Sequence, residues 1–309
     1  MRDALAITQS GPVSEPKASL IESGPDDAPA RRPSGLRRTT SLLPTLFTLG
    51  NLLCGFVAIF MASRPADAAM PMGWSPLVFA ALFIFLGMLF DALDGRVARL
   101  TGSTSELGEQ LDSMADMVSF GVAPAFMLIQ LGDIGVPFFG IGGTIDQTFD
   151  RAAFVVALIY VSCAALRLAR FNVELLQGDD HNGFTGLPSP AAAGTVASLI
   201  VLHEHLLFNQ APPTSLAVGS AALGMLLVTL VAGLAMVSRL PYGHLLNRYL
   251  GDGLGTGRIA LLLTIVGLAF IKIQYTLAAG FVLYALSGPA LMVYRWLRPS
   301  RSESVEDAV

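Results

Sequence analysis

A helix needs roughly 20 mostly apolar residues to cross about 30 Å of hydrocarbon. This chain offers eight such windows, at approximately 44–62, 75–94, 109–131, 152–172, 188–207, 216–237, 257–273 and 275–294. The third is least apolar at its start, and only the polar break around Lys272 and Gln274 separates the last two. The fold class this implies is all-α, a polytopic transmembrane helical bundle of about eight spans. Composition agrees: 14% of the residues are charged and the mean hydropathy is +0.62, whereas an ordinary soluble domain is about 25% charged.

The placement of basic residues orients such a bundle. Residues 1–40 are polar and rich in Pro, Ser, Asp and Arg, with no apolar segment behind a short basic start, so the N-terminal tail is expected to stay on the side of synthesis. With that end cytoplasmic, the cytoplasmic loops and ends hold every Lys and Arg except Arg64, Arg151 and Lys272. The bias fits eight spans with both termini inside, and dropping one span would scramble it. Residues 1–35 read as a disordered cytoplasmic tail, 36–297 as the transmembrane domain and 298–309 as a second cytoplasmic tail. Leu36–Leu43, with Arg37 and Arg38, reads either as a plain positive-inside anchor or as a segment lying on an anionic surface. Cys54 and Cys163 fall inside apolar windows and read as small hydrophobes, with no disulfide and no thiolate metal site. His203 and His205 fall on the far side, away from the features below.

Four carboxylates are out of place in so apolar a chain. The second window ends in LFDALDGRVARL and the third opens in LGEQLDSMADMVSFG. On a helix Asp91, Asp94 and Ala98 share one face, with Gly95 beside them and Arg99 just beyond. Gly108, Asp112 and Asp116 form a second stripe, and a connection around 101–105 makes the two helices antiparallel neighbours. Each aspartate within a membrane costs about 2.5–3.5 kcal/mol, so four unpaired ones approach roughly 10 kcal/mol. Arg96 and Arg99 would offset part of that. Hard divalent cations with oxygen ligands are the natural partner, and a pair of them is the arrangement used on phosphoryl groups. Gly95 and Gly108 leave room either for a ligand's close approach or for helix packing.

The run Asp91-x2-Asp94-Gly95-x2-Ala98-Arg99-x8-Gly108-x3-Asp112-x3-Asp116 resembles the full signature of the CDP-alcohol phosphatidyltransferases. The resemblance implies that Asp91, Asp94, Asp112 and Asp116 hold divalent metal, Mg²⁺ or Mn²⁺ and two ions, and that Asp116 is also the base for the acceptor hydroxyl. It implies that Gly95, Ala98, Arg99 and Gly108 line the cytidine and phosphate pocket.

Further segments, LFTLGNLLCGF (46–56), DSMADMVSFGVAPA (112–125), LRLARFN (166–172), FTGLPSPAAAG (184–194) and MVSRLPY (236–242), are similar to the bacterial branch that takes L-serine as acceptor. That branch implies CDP-diacylglycerol and L-serine as substrates, phosphatidylserine and CMP as products, eight spans around a six-helix family core, a homodimer, and a multi-pass place in the cytoplasmic membrane with the site facing the cytoplasm. Nothing points to nucleic acid. Arg167 and Arg170, a turn apart, with Asn172 after them, would meet the serine carboxylate or a lipid phosphate; the rival reading has them snorkel to the interface. Thr48 and Asn51 would reach the nucleotide or its phosphates, against a rival role in interhelical hydrogen bonding. Arg239 with Tyr242 is a weaker candidate for head-group contact. Pro188 and Pro190 end a loop and start the fifth window. The same chemistry on glycerol 3-phosphate, inositol phosphate or choline is the nearest alternative. An ion or proton transporter is more remote, since its acids would be spread through the membrane depth rather than bunched at one mouth.

Overall fold

The computed structural model describes residues 42–101, 106–131, 144–177, 186–209, 215–240, 242, 268 and 272–297. Among them every regular element is helical. We number the helices α1 (Leu42–Ala62), α2 (Pro76–Thr101), α3 (Glu106–Asp116), α4 (Ala123–Gln130), α5 (Thr144–Gln177), α6 (Ser189–Asn209), α7 (Ser215–Val237) and α8 (Ile273–Leu297). A π-helical turn, Met117–Val122, joins α3 to α4 into one long rod.

Six of these rods are long and apolar enough to cross a membrane: α1, α2, the α3–α4 rod, α5, α7 and α8. The chain is therefore a multi-pass membrane protein. The expected window at 257–273 lies outside the described residues apart from Leu268, Lys272 and Ile273, as do both tails. Two windows are longer than expected, because polar flanks continue the helix past the hydrocarbon: α2 runs on to Thr101 and α5 covers 34 residues. Ser75 starts α2 by accepting the Val78 N–H at 3.3 Å, with Pro76 at the first helical position.

Small side chains set the packing. Ala58, Ala80, Ala81, Ala123, Ala193 and Ala197 are fully buried, which lets backbones approach where no hydrophobic force separates protein from lipid. α6 runs through the middle, with Ala192, Val196 and Ile200 buried at four-residue spacing and α2, α7 and α8 around it. Large apolar residues face outward instead, among them Leu53, Phe56 and Phe60 on α1 and Leu283 on α8. On helices of this length such a surface meets acyl chains. Cys54 and Cys163 are buried free thiols.

The third window is not a regular α-helix throughout. Pro124 has no N–H to offer the Phe120 carbonyl four residues back, and its ring crowds that turn. The chain widens there, with the Ala123 N–H reaching Val118 five residues back, and the Tyr160 hydroxyl of α5 donates to the orphaned Phe120 carbonyl at 3.0 Å. α8 solves the same problem in the same way. Pro289 leaves the Ala285 carbonyl without its helical partner, and the Tyr242 hydroxyl donates to it at 2.8 Å. Gly288 makes this possible, because a Cβ there would run into the Tyr242 ring.

Tyr242 thus pins the segment after α7 against α8, and that segment in turn holds the start of α6. The Gly186 N–H donates to Leu240 at 2.8 Å and the Leu187 N–H to Ala235 at 3.0 Å. Gly186 has φ +89°, and a Cβ on it would lie 2.9 Å from the Ser238 carbonyl, so both conformation and space require glycine. Of the Arg239–Tyr242 pair, Tyr242 is buried with its hydroxyl donating to the backbone of α8, while Arg239 is exposed.

Candidate active site

The C-terminal half of α2, all of α3, the N-terminal half of α1 and the C-terminal end of α5 meet at one end of the bundle. Helical phase brings the acids together there. Asp91 of α2 and Asp112 and Asp116 of α3 each present a carboxylate oxygen, and the three oxygens lie within 4.8 Å of one another. Like charges at that separation repel strongly where water is scarce, so the cluster calls for a cation. Asp112 Oδ1 is buried without a hydrogen-bond partner. Three hard carboxylate donors, one of them on a residue with an unsatisfied oxygen, suit a divalent ion of the Mg²⁺ or Mn²⁺ kind. The sequence expectation for Asp94 is refined. It borders the cluster electrostatically, near Asp91 and Asp112, but is not one of the three, and its Oδ2 accepts a short hydrogen bond from Thr48.

α1 supplies the hydrogen-bond donors. Asn51 is fully buried and donates from Nδ2 to Asp116 Oδ1 at 2.9 Å. Asp116 is itself only 9% exposed, so this bond holds its carboxylate in place beside the other two. Thr48, one turn earlier, serves Asp94. Both residues were candidates for touching nucleotide, and in the structure both are engaged across helices. Three small or hydroxylic residues make their placement possible. Ser119, in the π turn, donates to the Asn51 carbonyl at 2.7 Å. Gly55 lets α1 approach that turn, since a Cβ there would lie 2.7 Å from the Ser119 Cα. Gly87 makes room for the Asn51 side chain, whose Oδ1 would lie 3.0 Å from a Cβ.

The cations are placed unequally. Arg96 and Arg99 are exposed on α2, while Arg167 of α5 is half-buried and within electrostatic reach of Asp116. Arg167 Nε donates to the Leu187 carbonyl at 2.5 Å, which ties the start of α6 to the acidic cluster. This is not the snorkelling arrangement. Arg170 is half-buried one turn on, and Asn172 accepts from Ser113 of α3 at 3.0 Å. Ala98 and Gly108 are half-buried. Gly95 is exposed, and a Cβ on it would meet nothing within 4 Å among the described residues, so packing against them does not require a glycine there.

Residues 41–240 match the sequence pattern of the family described as CDP-alcohol phosphatidyltransferase. The chain belongs to that family. Its relatives include proteins named CDP-diacylglycerol–serine O-phosphatidyltransferase from three distant sources. The Helicobacter pylori J99 protein is 30% identical over 256 residues, covering 83% of this chain and 91% of its own. The Bacillus subtilis protein is 31% identical over 216 residues, covering 70% and 97%. The Methanocaldococcus jannaschii protein is 31% identical over 241 residues, covering 78% and 89%. In this phosphatidyltransferase the family signature thus coincides with the acidic end of the bundle. Sequence reasoning missed Ser113, Ser119, Gly55, Gly87 and Tyr160 as supports of that site. Pro124 was the available signal, because a proline inside an apolar window implies a displaced carbonyl and a donor to satisfy it.

Proposed function

We propose that this chain transfers the phosphatidyl group from CDP-diacylglycerol to the hydroxyl of L-serine, releasing CMP and forming phosphatidylserine. The observation that carries the reading is the meeting of Asp91, Asp112 and Asp116 within 4.8 Å, on the family signature, in a chain whose relatives carry the serine enzyme's name over most of their length.

Asp91, Asp94, Asp112 and Asp116 would hold two divalent ions, Mg²⁺ or Mn²⁺. Bound there, they supply charge stabilisation for the diphosphate as it breaks. The residues do the rest. Asn51 occupies one oxygen of Asp116 and leaves the other to accept the proton of the serine hydroxyl. The serine oxygen then forms its bond to the lipid-linked phosphorus as the bond from that phosphorus to the CMP oxygen breaks, in line. Gly95, Ala98, Arg99 and Gly108 border the nucleotide and its phosphates. Arg170 and Asn172, on the α5 end beside α3, are placed to meet the serine carboxylate or the lipid phosphate, with Arg167 holding the α6 entry segment in position.

The acidic end faces the cytoplasm in this reading. Arg96, Arg99, Arg167, Arg170 and Arg239 all lie toward that end, whereas Arg64 and Lys272 flank helix ends on the opposite side and Arg151 lies two turns into α5 from that side, in keeping with the positive-inside rule. Lipid enters from the cytoplasmic leaflet, and serine and CMP exchange with the cytoplasm.

Purified protein given CDP-diacylglycerol, Mg²⁺ or Mn²⁺ and labelled serine is expected to release CMP and to form labelled lipid in equal amounts. Activity with glycerol 3-phosphate and none with serine would overturn the acceptor assignment.

A further inference from the structure

The end of the bundle opposite the carboxylates carries a second built site. α2 alone places fifteen residues between Pro76 and Asp91, about 22 Å at 1.5 Å per residue, so the two ends belong to different membrane faces. At this far end a cavity of about 540 Å³ is lined by Arg64, Asp67, Ser75, Gln130 and Glu204, among others. An adjoining groove of about 360 Å³ runs along Val78, Leu82, Phe85, Val201 and Leu277, with Trp74 at its polar end. Ser75 and Glu204 line both. Each volume falls in the roughly 300–1,000 Å³ range of small-molecule sites.

Glu204 makes the site more than a surface dimple. It is 3% exposed, and its Oε1 has no hydrogen-bond partner among the described residues. His203 Nδ1 lies 3.9 Å from it and has no hydrogen-bond partner among the described residues either. A buried carboxylate without a full set of donors is costly, and the Glu204 side chain that carries it borders a cavity large enough to admit one.

We propose that the cavity and groove together bind a zwitterionic glycerophospholipid of the leaflet opposite the active site. The head group sits in the cavity, its ammonium donating to Glu204 with Asp67 nearby, and its phosphate facing the guanidinium of Arg64. One acyl chain lies in the groove between α2, α6 and α8. Charge complementarity selects this occupant: two carboxylates and one guanidinium match an ammonium–phosphate pair better than an anionic head group. The depth matches too. Trp74 packs against Phe79 with ring centroids 5.9 Å apart, and Arg64 stands 5.9 Å over the Phe60 ring, the kind of aromatic and basic residues that collect at a membrane–water interface.

The test is native mass spectrometry of the full chain released from nanodiscs containing equal dioleoyl phosphatidylethanolamine and dioleoyl phosphatidylglycerol. The wild type is expected to retain one phosphatidylethanolamine in at least tenfold preference. Glu204→Gln and Arg64→Gln should each lower that retention by tenfold or more. Leu82→Trp fills the groove from a 41% exposed position, displacing no buried side chain, and should lower it likewise. Asp91→Asn with Asp112→Asn should leave retention unchanged. Equal retention of the two lipids, or loss in the Asp91/Asp112 variant with none in Glu204→Gln and Leu82→Trp, would overturn the proposal.

Discussion

Gly95→Ala separates the two readings of the signature glycine. Among the described residues no other side chain or packed backbone lies within 4 Å of the added Cβ, and the position is in the body of a 26-residue helix, so the substitution should stabilise the fold by up to about 1 kcal/mol through helix propensity. Its effect on substrate runs the other way. A ligand atom in van der Waals contact with a glycine Cα would overlap a methyl group placed there, and overlap of that kind costs about 1–3 kcal/mol where neighbours can yield. At 1.4 kcal/mol per factor of ten, binding of CDP-diacylglycerol should weaken roughly 5- to 140-fold. The assay is CMP release against CDP-diacylglycerol concentration at saturating serine, alongside a thermal melt. The expected pattern is a raised KM for the nucleotide lipid with an unchanged or higher Tm. Wild-type kinetics would refute the claim that substrate approaches the α2 backbone at this point, and a lowered Tm would refute the claim that the space is open.

Asp116→Asn should abolish turnover while leaving the melt close to wild type, and residual activity above a few per cent would remove Asp116 as the base. Asn51→Ala removes a hydrogen bond to a carboxylate, a loss of about 1.5–3 kcal/mol, and should lower kcat by roughly 10- to 100-fold, as read by labelled-lipid formation. Gly55→Ala drives a Cβ to 2.7 Å from the Ser119 Cα, and should destabilise the protein by about 1–3 kcal/mol and depress kcat, by melt and turnover together. A chelator should stop CMP release, with Mg²⁺ or Mn²⁺ restoring it; undiminished activity after chelation would refute the divalent site.

The parts of this molecule that follow a helical period were legible in the sequence. Asp91 and Asp94 on one helix and Asp112 and Asp116 on the next needed only the 3.6-residue repeat and an antiparallel turn to be brought together, because every one of them precedes the π turn and keeps its α-helical phase. The apolar windows were legible for the same reason. What the period does not encode is which donor faces which acid. Thr48 and Asn51 looked equally suited to a ligand or to a neighbouring helix, and the choice depends on how closely α1 approaches α3, which Gly55 and Ser119 set across 64 residues of chain.

The π turn explains why that approach holds. A regular helix running on from Asp116 would present Ser119 in a phase fixed by the acids, with no independent setting for the groups that support them. Pro124 relaxes this constraint by displacing the Phe120 carbonyl, and Tyr160 of α5 stabilises the widened turn. Ser119 then reaches the Asn51 carbonyl while Asn51 reaches Asp116. The proline that looks like a blemish in an apolar window therefore acts through two hydrogen bonds and one glycine contact on the carboxylate proposed as base. On this reasoning Pro124→Ala should restore a regular helix, shift Ser119 away from Asn51 and lower kcat without touching any group that binds substrate. A full-activity Pro124→Ala enzyme would show that the widened turn is incidental to the site.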